Sequence, residues 1–98
     1  TFDVTLDDIR RAATVIAGKV RQTPSYASPA MSKALGHETV IKMEALQSHG
    51  SFKIRGCTNK LASLTPEELS RGIVTVSGGN HAIAVSATAT AFGARALG

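Results

Sequence analysis

The chain lacks groups on which several protein classes depend. Cysteine occurs once, at Cys57. No disulfide can form within the chain, which fits a reducing compartment, and Cys57 reads as a small core residue. Tryptophan is missing, and three Phe and one Tyr are the only aromatic residues. Alanine supplies much of the apolar material, so a core here is built from small side chains. A complete domain of 98 residues with so few large apolar groups would be marginal. No apolar run is long enough to span a bilayer. The stretch from Thr1 to Arg11 is acidic and then basic, without the apolar segment of a signal peptide. A cytoplasmic location is therefore expected. His37, His49, His81 and Cys57 show no metal-ligand spacing, so no metal is expected. The Gly-x-Gly-x-x-Gly fingerprint of a dinucleotide turn is also absent.

What is present is ordinary for a globular protein: 43% hydrophobic and 18% charged residues. The net charge of +4 raises nucleic-acid binding as a reading. The cations, however, fall in separate small groups (Arg10 and Arg11, Lys19 and Arg21, Lys53 and Arg55), and no aromatic platform accompanies them. Neither nucleic acid nor membrane is expected as a partner.

Helix and strand signals alternate along the chain. Thr5 with Asp7 and Asp8 reads as a capped helix start, followed by Ile9, Ala12, Ala13, Ile16, Ala17 and Val20 at helical spacing, a packing stripe. Thr23-Pro24 breaks that helix. Ser28-Pro29 opens a short helix that Gly36 closes. Val40 to Met43 is a strand candidate and Gln47 to Gly50 a polar turn. Ser51 to Leu64 reads as a helix with Phe52, Cys57, Leu61 and Leu64 on its apolar side. Thr65-Pro66-Glu67-Glu68 opens a further short helix, ended by Gly72. Ile73 to Val76 is β-branched throughout and suits a buried parallel strand. Asn80 to Phe92 is a helix with Gly93 as its stop, and Ala94 to Gly98 leads into another strand, as a βα unit requires. The pattern is that of an α/β protein, and the chain reads as an N-terminal piece of a larger one.

Two segments carry chemistry. In Ser51-Phe52-Lys53-Ile54-Arg55-Gly56 a lysine stands at a helix start behind a hydroxyl. An amine is nucleophilic only when unprotonated, and positive potential at a helix start disfavours the ammonium form. A lysine so placed is suited to imine formation with an aldehyde. Phe52 offers a flat apolar surface to an aromatic cofactor. Taken alone, the segment also reads as a solvent-facing lysine on an amphipathic helix. In Ser77-Gly78-Gly79-Asn80-His81-Ala82 glycines and an asparagine join a β-rich run to an Ala-rich helix. Free N–H groups at the helix start and the small glycines suit a carboxylate. Taken alone, this is equally a plain βα turn with Asn80 as its N-cap.

Together the two segments, with Asn80 standing 27 residues (80 − 53) after Lys53, resemble the Schiff-base and substrate-carboxylate segments of the fold type II (β-family) pyridoxal-phosphate enzymes, in the branch of threonine/serine dehydratases and serine racemases. The resemblance runs from the Asp7-Asp8-Ile9 helix to Gly98 and covers about the first third of a typical member. It implies a three-layer α/β fold with a parallel sheet, incomplete at the C-terminal end. Residues 1–66 would belong to the large domain, and 67–98 would begin the small one, with the cofactor between them.

The resemblance also implies site roles. Lys53 would carry pyridoxal 5'-phosphate covalently as a Schiff base. Phe52 and Asn80 would contact the cofactor, Asn80 at its ring hydroxyl oxygen. Ser77, Gly78, Gly79, Asn80 and His81 would receive the substrate carboxylate. Arg55 has no derivable role beyond structural ion pairs. The implied reaction is α,β-elimination of L-threonine or L-serine to a 2-oxo acid and ammonia, by a homo-oligomer (dimer or tetramer) acting on a small amino acid. A serine- or aspartate-type racemase is the alternative, but serine racemases place a serine where Gly78 stands, to act on the opposite face of the cofactor. His81 separates the chain from the cysteine-synthase and threonine-synthase branches, which usually carry threonine there. The phosphate-binding glycine loop is missing. The 98 residues alone are expected to bind no cofactor stably, and a non-catalytic fragment is the remaining alternative.

Overall fold

The computed structural model describes residues 3–98; Thr1 and Phe2 lie outside the described residues, and with them the first two positions of the range 1–66. Helix α1 spans Leu6–Ile16 and starts on a reciprocal cap. The Thr5 hydroxyl accepts from the Asp8 N–H (3.2 Å), and the Asp8 carboxylate accepts from the Thr5 N–H (2.8 Å). Those hydrogen bonds from Thr5 hold the Asp8 carboxyl below the usual range, with Arg11 adding to the effect.

Only part of the expected packing stripe faces inward. Ala12 and Ile16 are half-buried, and Val20 packs against the core, whereas Ile9 is 58% exposed. Residues 12 and 16 are i, i+4 neighbours on one line of the helix surface, but α1 ends at Ile16, short of the expected stripe, and Val20 reaches the core from the turn that follows. Ile9, Ala13 and Ala17 lie off that line.

A strand that the sequence reading did not anticipate follows. Strand β1 (Ser25–Ala27) pairs antiparallel with β2 (Val40–Lys42), Tyr26 opposite Ile41. Three residues between Pro24 and Pro29 are too few to show a periodic pattern, and β1 exists because its partner supplies the ladder. Helix α2 (Pro29–Leu35) lies between them, capped by the Ser28 hydroxyl on the Met31 N–H (3.3 Å) and closed by Gly36 at φ 71°.

After two short 3₁₀ turns (Glu44–Leu46 and Ser48–Gly50) comes α3 (Lys53–Ala62), then α4 (Pro66–Arg71), β3 (Ile73–Val74), α5 (Asn80–Ala91) and β4 (Ala96–Leu97). Strands β3 and β4 pair in parallel, Ile73 opposite Ala96, as the βα pattern requires. The buried strand expected over 73–76 is shorter and more open. Ile73 packs against the core, while Val74 and Val76 are 76% and 95% exposed. Alternate residues of a strand face opposite sides, and within these residues only one side is covered.

The core lies between α3 and α5. Ile54 and Cys57 meet Ala84 and Val85, with Val20 and Ile73 packed around them. It is a core of small side chains, as the composition implied. Phe52 does not join it; at 60% exposure it precedes α3.

Helix α4 begins with a second reciprocal cap, Thr65 with Glu68 (2.8 and 3.1 Å), and Pro66 in its first turn. Thr65→Ala removes the hydroxyl acceptor and is expected to cost about 1 kcal/mol locally. Amide exchange in α4 of the intact protein, about fivefold faster than in the wild type, checks this.

Candidate active site

The lysine segment enters α3 from a buried, extended Ser51 whose hydroxyl accepts from the Lys53 N–H at 3.4 Å. Lys53 is the first residue of α3 and is exposed, with its Nζ 5.2 Å from the centroid of the Phe52 ring. An amine over an exposed aromatic face is held by the ring's negative face without being buried. The expectation of a lysine behind a hydroxyl at a helix start holds. Phe52 is beside the amine, not on the helix's apolar side.

Arg55 turns to the other flank of α3 and meets Glu44. Its Nε and Nη2 donate to the two carboxylate oxygens, each at 2.8 Å. Thr23 Oγ1 also donates to Glu44 (2.5 Å). Gln47, itself buried, binds the Arg21 backbone in both directions, accepting at 2.8 Å and donating at 2.7 Å. The Arg55 fork, with help from Thr23, outweighs desolvation and holds the Glu44 carboxyl down at about 2. The same fork raises Arg55 above its ordinary value. Structural ion pairing by Arg55 was foreseen; its partner Glu44 was not. A single glutamate in a polar turn carries no signal of an ion pair eleven residues on.

The pH dependence of this pair has a definite sign. A carboxyl whose folded pKa is depressed contributes stability above the unfolded value, 4.5, and loses it as pH falls through about 2. Glu44→Gln is therefore expected to destabilise the intact protein by about 2 kcal/mol at neutral pH. The difference from wild type should shrink steadily between pH 4.5 and about 2. Denaturation midpoints of the two proteins across that range check it.

The glycine–asparagine segment reaches α5 as foreseen, but Gly79 and not Asn80 occupies the N-cap position, and no side chain among the described residues caps the helix. The first bond inside α5 runs from the Ile83 N–H to the Gly79 carbonyl (3.2 Å), which leaves the preceding N–H groups of the first turn without helical partners. The Ser77 hydroxyl accepts from the Gly79 N–H at 3.3 Å and shapes the turn. A Cβ built on Gly78 or Gly79 meets nothing within 4 Å. Gly78, Gly79 and Asn80 are exposed, and Ser77 and His81 are half-buried.

The two segments meet at one side-chain contact. Cys57, one turn beyond Lys53, places its sulfur 3.9 Å from His81 Nδ1. Burial pushes the Cys57 thiol up, and the Lys53 charge opposes that shift. A cleft of about 280 Å³ opens beside the contact, lined in part by Gly56, Lys60, Thr75 and His81; Lys53 and Asn80 do not line it. Among the described residues no group of three His, Cys, Asp or Glu side chains gathers to hold a metal, and no helix is long and apolar enough to cross a membrane.

The chain has relatives among known proteins. A family model described as "Pyridoxal-phosphate dependent enzyme" matches residues 16–97. L-threonine ammonia-lyase of Thermotoga maritima is 46% identical over 90 residues, which is 92% of this chain and 22% of that protein. Serine racemase of Dictyostelium discoideum is 45% identical over 83 residues, 85% of this chain and 26% of that protein. The structure of maize serine racemase superimposes with a TM-score of 0.85 at 39% identity, covering 97% of this chain and 30% of that one. The chain belongs to the family of pyridoxal-phosphate-dependent enzymes, and its α/β fold is part of the fold type II architecture. It spans about a quarter of the length of the curated relatives it matches.

Proposed function

We propose that these residues supply the lysine and substrate-carboxylate segments of an enzyme that eliminates water from L-threonine or L-serine, giving a 2-oxo acid and ammonia. The observation that carries the reading is the Cys57–His81 contact, which sets the uncapped start of α5 beside the helix that begins with Lys53. The donor set fits the cofactor: a solvent-accessible primary amine, a phenyl face next to it, a side-chain amide at Asn80, and glycines that leave open space. Pyridoxal phosphate, when bound, supplies an electron sink for charge developing at the substrate Cα.

The chain's own residues do the rest. Lys53 Nζ would hold the cofactor and, when free, would act as the base that removes the Cα proton. Phe52 would offer its apolar face to the cofactor, and the Asn80 amide would hydrogen-bond the cofactor's hydroxyl oxygen. Ser77, Gly78, Gly79 and the N–H groups of Asn80 and His81 receive the substrate carboxylate, favoured there by the helix start. Residues 1–66 belong on this reading to the large domain and 67–98 to the small one. The enzyme is cytoplasmic, acts on a small amino acid and assembles as a dimer or tetramer.

The relatives include serine racemases as well as a threonine ammonia-lyase. Gly78 favours elimination, because it offers no side chain to return a proton from the opposite face. The test is product analysis of the intact protein with L-serine and L-threonine. The expected products are 2-oxo acid and ammonia with little D-isomer. D-serine formed at a rate comparable to the 2-oxo acid would replace this reading with the racemase one.

A further inference from the structure

We propose that Glu44 is a positioning residue: by gripping Arg55 it fixes the first turn of α3 and so aims Lys53, a role that rests on the proposed function of that lysine. Residues on a helix are about 100° apart, so Lys53 and Arg55 stand about 200° apart on either side of Ile54. Ile54, Cys57, Thr58 and Leu61 form the buried face between them. That face meets Ala84 and Val85, and the other buried residues of α5, Thr88 and Ala89, are also small, with little relief to interlock. Packing alone therefore holds the rotation of α3 about its axis weakly.

The first turn is also weak in itself. It contains Gly56, a poor helix former, and apart from the Arg55 fork its side-chain support among the described residues includes no hydrogen bond shorter than the long 3.4 Å one from the Lys53 N–H to Ser51. A two-pronged Arg–carboxylate bond is directional in a way that small-residue packing is not. Glu44 is itself fastened by Thr23, and next to it Gln47 ties the turn to Arg21, so the anchor stands on the β1–β2 side of the molecule and not on α3. Pinning one flank of the helix leaves the amine of Lys53 on the other.

Two variants of the intact protein test the role. Glu44→Met with Arg55→Met removes both charges together, so neither is left buried and unpaired. Arg55→Lys keeps the charge but loses the fork. In both, amide exchange over residues 51–57 is expected to rise about tenfold while that of α5 is unchanged. Pyridoxal phosphate added to the cofactor-free protein should become bound about tenfold more slowly, followed by absorbance. Exchange and binding rates equal to wild type in Arg55→Lys would overturn the proposal, even if the double variant failed to fold. If instead exchange rises as expected but the wild-type protein attaches the cofactor at another lysine, the anchor stands and the reading of Lys53 fails.

Discussion

Lys53→Ala is expected to remove the cofactor's visible absorbance from the intact protein and to lower elimination by about a thousandfold or more. The size follows from the two tasks given to one amine: attachment of the cofactor and removal of the Cα proton. Folding should be almost untouched. Lys53 is exposed, with its Nζ over the exposed Phe52 ring, so the change falls within the roughly 0.5 kcal/mol typical of surface sites. Lys60 is the informative control, because it lines the cleft beside His81. Lys60→Ala should keep the colour. A yellow, active Lys53→Ala protein would remove the basis of the proposed function.

Gly78→Ser is expected to raise D-serine formation from L-serine by about a hundredfold, the contribution typical of one positioned acid or base. The new side chain meets no steric obstacle: a Cβ at this position has nothing within 4 Å. Gly78 sits in the turn that Ser77 shapes, just before the uncapped start of α5, within the segment proposed to receive the substrate carboxylate. Chiral chromatography of the products, with wild type and Gly78→Ala alongside, measures the effect. Gly78→Ala controls for bulk without supplying a proton donor. Equal D-serine from Gly78→Ser and Gly78→Ala would show that the missing hydroxyl is not what favours elimination.

Much of this architecture was legible from local chemistry. Thr5 with Asp8 and Thr65 with Glu68 place helix starts correctly because a reciprocal cap needs only residues three apart. Gly36 and Gly72, at φ 71° and 88°, mark helix ends because L side chains rarely take that conformation. The parallel pairing of β3 with β4 follows from the strand–helix–strand order. Elements that depend on distant partners were not legible. Strand β1 is three residues long and owes its form to β2. The Glu44–Arg55 fork joins a turn to a helix. The Cys57–His81 contact joins two helices through residues whose proximity no local pattern shows.

The site divides in the same way. Lys53 at a helix start and a glycine turn before α5 were readable from residue types and spacing. Asn80 as the first helical residue was read from the sequence, whereas the position of Gly79 at the cap, with no side chain among the described residues capping α5, depends on backbone angles that residue type does not dictate. Glu44 illustrates the largest gap. Its importance comes from three partners, Arg55, Thr23 and Gln47, that meet it only in the folded chain.

The central claim is that Lys53 is the residue that holds the cofactor. The most direct measurement is borohydride reduction of the intact protein in the presence of pyridoxal phosphate, followed by peptide mapping. The account predicts one stable adduct, on the peptide that contains Lys53. An adduct on Lys60 or any other lysine, with Lys53 unmodified, would contradict it.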